Sequence, residues 1–196
     1  MRNREETYGL IVETAYKMFA ENGFDKTSLA MIAKEVGISK PAIYYYFDSK
    51  EKLIDFLFDE ICKEIMDQYA FTVSDLTRNN FEQYLLTIGF QMIEEQEKDV
   101  HFNKIFNEYI LLATRKEQYM EQLNKIQKGY FESFSMLMNH GVTIGAVNQE
   151  NVESKSNMLA MVIDNIGNFI LTGLELDYKG IWKEAVKSVL LSVRND

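Results

Sequence analysis

The chain has 196 residues, 46% hydrophobic and 26% charged, enough to bury a sizeable core in one large domain or two smaller ones. One proline and ten glycines leave too little punctuation for the many turns of an all-β protein, and one cysteine, Cys62, excludes a disulfide framework. A net charge of −9 argues against a protein that coats nucleic acid without regard to sequence.

Helical periodicity begins at once. Tyr8, Ile11, Val12, Ala15 and Phe19 share one face of a first helix that ends near Asn22-Gly23. A short second helix follows through Leu29, Ile32, Ala33 and Val36, with Thr27 or Ser28 placed to cap it. Gly37 suits the left-handed position after that helix, and Ile38 can pack back on its last turn. Ser39 is a good N-cap for a third helix over Lys40–Phe47, where Pro41 sits harmlessly in the first turn. Asp48 and Glu51 then open a long fourth helix that carries Leu53, Leu57, Ile61 and Ile65 and reaches Tyr69. Beyond it the pattern predicts helices near 79–97, 99–114, 116–140, 150–176 and 180–194.

Two short helices joined through a glycine turn form a helix-turn-helix, whose second helix enters the DNA major groove. Helical geometry puts Ala42, Ile43, Tyr46 and Phe47 on one half of the third helix and Lys40, Pro41, Tyr44 and Tyr45 on the other. The first half is apolar enough to bury. The second leaves two tyrosines and a lysine outside, a poor free surface and a good one for meeting DNA. Lys40 can donate to a guanine edge or to a phosphate, and the tyrosines offer hydroxyls to phosphates and rings to thymine methyls. Thr27 and Ser28 can receive a phosphate at a helix start, and Lys50 can clamp the next one. Charge follows the same division. Residues 1–50 carry seven Lys/Arg and seven Asp/Glu, whereas the remainder carries fourteen against twenty-three and holds the whole −9.

The stretch TSLAMIAKEVGISKPAIYYYFDSKEKL, Thr27–Leu53, resembles the DNA-binding signature of TetR-type (tetracycline-repressor-like) transcriptional regulators. The match runs through Thr27, Ile32, Ala33, Gly37, Ile38, Ser39, Tyr44, Phe47, Lys50, Glu51 and Leu53, with Ala15, Phe19 and Gly23-Phe24 upstream. Pro41 stands where many members have glycine, and Tyr46 where many have histidine. The resemblance implies an all-α fold. It has a three-helix DNA-binding domain over residues 1–49, its two-helix motif about 27–46, and a larger helical ligand-binding and dimerisation domain over 50–196. The DNA-contacting candidates are Thr27, Ser28, Ser39, Lys40, Pro41, Tyr44, Tyr45 and Lys50.

In that family the last two long helices usually form a dimeric four-helix bundle. Here they carry two wide apolar stripes, one with Leu159, Val162, Ile163, Ile166, Phe169 and Ile170. The other has Trp182, Ala185, Val186, Val189, Leu190 and Val193. Such breadth suits a core and an interface together, and the candidate interface is Ile166, Phe169, Ile170, Trp182, Val186, Val189 and Leu190. Phe90, Phe106, Tyr109, Tyr130, Phe134, Met161, Asn165 and Phe169 are candidates to line an effector cavity. The acidic balance leans towards an apolar ligand that is neutral or cationic.

Other chemistry is missing from the sequence. It holds no G-x-S-x-G, Walker-type loop, HExxH or GxGxxG, and His101 and His140 lack a helical carboxylate partner pattern and read as solvent-facing or incidental. The expectation is therefore no enzyme, no metal and no cofactor. MRNREETYGL has no apolar signal core and no run approaches a membrane span, so a cytoplasmic location and no membrane partner are expected. The leading reading is a repressor that binds a palindromic operator in double-stranded DNA as a homodimer and is released by a small molecule. The alternative is a ligand-independent DNA-binding dimer that acts through a protein partner.

Overall fold

The computed structural model describes residues 3–68 and 70–190, and these form nine helices and no strand. They are α1 (Arg4–Lys26), α2 (Leu29–Val36), α3 (Lys40–Tyr44), α4 (Lys50–Gln68), α5 (Phe81–Lys98), α6 (Val100–Ala113), α7 (Glu117–Thr143), α8 (Val152–Thr172) and α9 (Tyr178–Leu190). Tyr69 and Val193, expected at the ends of the fourth and last helices, lie outside the described residues.

The ends of these helices follow from local chemistry. Ser28 Oγ accepts from the Met31 N–H at 3.3 Å and starts α2. Gly37 ends α2 in the left-handed region at φ 78°, and the Ile38 N–H returns to the Ala33 carbonyl at 2.9 Å, closing a Schellman turn. Ser39 Oγ caps α3 through the Ala42 N–H. That helix is shorter than the predicted Lys40–Phe47. Its hydrogen bonds converge on the Ile43 carbonyl, which accepts from both Tyr46 and Phe47, so the chain leaves α3 in a turn. Ser49, rather than Asp48, caps α4 by accepting from the Lys52 N–H at 3.2 Å.

Packing divides the chain into two compact units at places other than the boundary expected at residue 49. One takes in the described residues of Met1–Glu64 with His101–Leu123, the other those of Ile65–Val100 with Asn124–Asp196. In the first, Ile11, Ala15 and Phe19 of α1 are fully buried with Ile32 of α2, Ile43 of α3 and Leu53 of α4. Each of the isoleucine, leucine and phenylalanine side chains stabilises by about 1.5–3 kcal/mol when fully buried. Tyr109 of α6 shows why later helices join this unit. Its ring lies 4.9 Å from Phe24 and 4.5 Å from Phe58, and its hydroxyl donates to the Ile54 carbonyl at 2.8 Å.

In the second unit, Phe81 and Leu85 of α5, Phe134 and Leu137 of α7, Leu159 and Ile163 of α8, and Trp182 and Val186 of α9 form one core. Trp182 Nε1 donates to the Leu85 carbonyl at 2.9 Å. A Cβ at Gly89 would run into the same indole, so α5 and α9 approach this closely only because residue 89 is glycine.

Candidate nucleic-acid interface and apolar groove

The α2–α3 corner separates its two faces cleanly. Inward lie Ile32, Ala33, Val36, Ile43 and Phe47, all buried. Outward lie Ser28, Ser39, Lys40 and Pro41, with Tyr44 45% exposed and Tyr45 67% exposed. Tyr46 is half-buried, its ring 6.5 Å from Tyr8, which stacks on Phe47 at 5.5 Å. The outward set combines one cation, two phenols and two helix-capping serines on one surface, so it can meet both phosphates and base edges. Ser28 and Ser39 spend their oxygens as caps, which leaves their hydroxyl protons to donate outward.

Two of the expected contact residues are used differently. Thr27 is buried at 1% exposure, and its hydroxyl donates to the Met18 carbonyl at 3.2 Å, so it is turned away from any phosphate. Lys50 is half-buried and its ammonium donates to the Phe24 carbonyl at 2.9 Å. The Phe24 N–H donates in turn to the Glu108 carboxylate at 3.0 Å. Lys50 and Glu108 thus hold both sides of Phe24 just after the kink at Gly23, and the Phe24 carbonyl also accepts from the Thr27 N–H at 3.4 Å. Sequence spacing carried no sign of Glu108, because its partner lies in α1. His101 is half-buried at the edge of this unit, its Nε2 3.4 Å from the exposed Glu21 carboxylate.

The effector candidates are not brought together. Phe106 and Tyr109 belong to the first unit, where Phe106 stacks on Phe102 and Tyr109 is fully buried. Burial is the main cause that raises the Tyr109 phenol above its usual range, which keeps it a neutral donor. Phe90, Tyr130 and Phe134 lie in or against the core of the second unit, and the Tyr130 hydroxyl donates to the Ala160 carbonyl at 2.8 Å. Met161, Asn165 and Phe169 face outward on α8 and line an open groove of ≈ 770 Å³ with Met158, Asp164, Leu176, Tyr178 and Ile181. Asp164 is the carboxylate of that groove, and burial raises its pKa above the ordinary value.

The interface candidates divide too. Ile166, Trp182, Val186, Val189 and Leu190 are buried inside the unit, so they are core, and Ile170 is half-buried. Phe169 alone of the set is exposed, at 39%. The apolar surface left over runs instead through Met158, Met161, Phe169, Leu174, Leu176 and Ile181, which the sequence stripes placed only in part. The cause is the close fit of α9 on α5, which takes up the whole Trp182–Leu190 stripe.

Residues 11–56 match the family model for bacterial regulatory proteins, tetR family, and residues 75–195 match that for the QacR-like protein, C-terminal region. The chain is 21% identical to the fatty acid metabolism regulator protein of Bacillus subtilis, over 100% of each chain. It is 26% identical to the biofilm operon icaADBC negative transcriptional regulator IcaR of Staphylococcus epidermidis, over 64% of this chain and 61% of that one. The matched stretch covers as little as 33% of another curated regulator's length. A protein from Saccharomonospora viridis solved in complex with choline has a TM-score of 0.74 at 18% identity, covering 94% of this chain and 95% of that one. No helix among the described residues is long and apolar enough to cross a membrane.

Proposed function

The chain belongs to the tetR family of bacterial regulatory proteins, and from that membership we propose a repressor that binds a palindromic operator as a homodimer and leaves it on binding a small molecule. It is a helix-turn-helix transcriptional regulator, not an enzyme. The observation that carries the proposal is the outward face of α3. A lysine and one exposed tyrosine stand on a short helix, a second exposed tyrosine follows at its C-cap, and the opposite side is anchored by the fully buried Ile43. In this reading Lys40 donates to guanine O6/N7, Tyr44 and Tyr45 take phosphates and thymine methyls, and Ser28, Ser39 and Pro41 flank them. Thr27 and Lys50 support the face from behind.

One such helix covers only a few base pairs, so two are needed, about 34–36 Å apart on one face of the duplex. The exposed stripe of Met158, Met161, Phe169 and Ile181 supports α8 and α9 as the surface that pairs two copies, working on DNA in the cytoplasm. Ile170 sits at its margin. The repressor reading is supported by the likeness to IcaR, named as a negative regulator. An apolar effector that is neutral or cationic is favoured by the acidic balance and by the fold shared with a choline-bound protein. Of its candidate contacts, Met161, Asn165 and Phe169 line the open groove on α8, and Phe90, Tyr130 and Phe134 lie in or against the core of the same unit. Such a molecule releases DNA only by binding the non-binding spacing of the two reading heads more tightly.

The test uses the duplex enriched by the wild-type protein from a randomised library, beside a random duplex. Lys40→Ala should lose roughly 1–3 kcal/mol of discrimination between them. Equal loss of affinity on both duplexes would show that Lys40 does not read bases.

A further inference from the structure

The first turn of α1 is held rigidly. Asn3 Oδ1 accepts from the Glu6 N–H at 3.0 Å, the Glu6 carboxylate accepts from the Asn3 N–H at 3.1 Å, and the Thr7 hydroxyl donates to the Asn3 carbonyl at 3.0 Å. Arg4 leaves this turn with its Cζ 5.1 Å from the centre of the Tyr45 ring. Tyr45 lies edge-on to Tyr46 at 5.4 Å, Tyr46 reaches Tyr8 at 6.5 Å, and Tyr8 stacks on Phe47 at 5.5 Å. Arg4 is therefore the outer end of an aromatic chain that joins the start of α1 to the exposed side of α3.

A guanidinium over a ring engages through its flat face and keeps its in-plane N–H groups free to donate. Among the described residues no carboxylate takes those groups in an ion pair. A donor edge held beside Tyr45, the most exposed of the α3 tyrosines, fits an acceptor that arrives with the DNA. We propose that Arg4 is a DNA-contacting residue: its N–H edge takes a backbone phosphate next to the groove that α3 enters, while its face fixes the Tyr45 ring. The proposal rests on α3 being the groove-facing helix. Holding the ring before binding reduces the freedom lost on contact, so Arg4 adds both a charge and order.

The same enriched and random duplexes serve as probes. Arg4→Ala should bind both roughly 5- to 10-fold more weakly at low salt and make the salt slope shallower by roughly one per reading head. Arg4→Lys should restore the slope and only part of the affinity, because an ammonium lacks the flat face. In a Tyr45→Leu background the affinity loss from Arg4→Ala should shrink, since the ring it holds is gone. An unchanged slope in Arg4→Ala, or a loss undiminished in Tyr45→Leu, overturns the proposal. Should Arg4→Ala lower the thermal midpoint, Arg4→Gln repeats the slope measurement, and an unchanged slope overturns it equally. If Lys40→Ala and Tyr44→Ala also leave binding intact, the reading of α3 itself fails. If those two weaken binding and Arg4→Ala does not, only the assignment of Arg4 fails.

Discussion

The α2–α3 corner and the α8–α9 pair are both built from short apolar patterns between caps, yet they keep different kinds of information. At the corner, Ser28, Gly37 and Ser39 act on groups within five residues of themselves, and the inward and outward faces follow from 100° steps on short helices. On α8, Ile166 is 3% exposed and Phe169, one turn later, is 39% exposed, although both lie on one apolar stripe. What separates them is which neighbour covers the stripe and where its coverage stops. Local interactions are written in spacing. The edge of a core is written in residues far away.

The largest expected effect breaks that stripe at its two ends. Ile166→Asp puts an unpaired charge into a filled core and should cost about 4 kcal/mol or more, leaving little folded protein. Phe169→Asp changes a half-open side chain on the same helix and should cost the unit less than about 1 kcal/mol. Its effect should appear in light scattering, as a folded protein of half the mass that binds DNA weakly. Equal unfolding by both substitutions would show that the α8 stripe is all core and that the pairing surface lies elsewhere.

A smaller effect tests the corner. Gly37 has φ 78°, and a Cβ there would meet nothing within 4 Å, so crowding is not the issue. The cost of Gly37→Ala is that of a left-handed backbone alone, about 1–2 kcal/mol. Gly37→Asn should cost less, because asparagine tolerates that region. Urea unfolding checks both, and a penalty for alanine above about 3 kcal/mol would mean that Gly37 also packs against something.

The same contrast explains how much was legible beforehand. The all-α class, the chain order of the helices and the outward set Lys40, Tyr44 and Tyr45 follow from periodicity and caps. The hydrogen bonds of Thr27 and Lys50 could not be read beforehand because their partners, the Met18 and Phe24 carbonyls, belong to an earlier helix whose end bends at Gly23. A hydroxyl at a helix start looks the same in sequence whether it faces out or back. Tyr109 and Phe134 show the other gap. Helical spacing says that each points inward, but not that one enters the core with Phe58 and the other the core with Phe81. Trp182, Val186 and Val189 were assigned to an interface for a similar reason, since only Gly89 on α5 permits α9 to lie close enough to cover them.

The smallest effect belongs to the start of α4 and measures how weak a single local signal is. Ser49 caps that helix, and Glu51 lies in its first turn. Hydrogen bonds from its own backbone N–H, then from the Ser49 hydroxyl, hold the Glu51 carboxyl below its ordinary value of 4.5. A carboxyl lowered by folding stabilises the fold above its unfolded pKa, and that contribution is lost as pH falls through the lower, folded value. Glu51→Gln keeps a hydrogen-bond acceptor and removes the charge. Near pH 6 the wild type should be the more stable by about 0.3 kcal/mol, a low figure because the group is exposed and screened. As pH falls through the folded value the two urea midpoints should converge, because the wild-type carboxyl becomes neutral. A gap that persists at low pH would assign the difference to cap geometry rather than to charge. A gap above about 1 kcal/mol near pH 6 would mean that one local ionic contact rivals the backbone strain at Gly37.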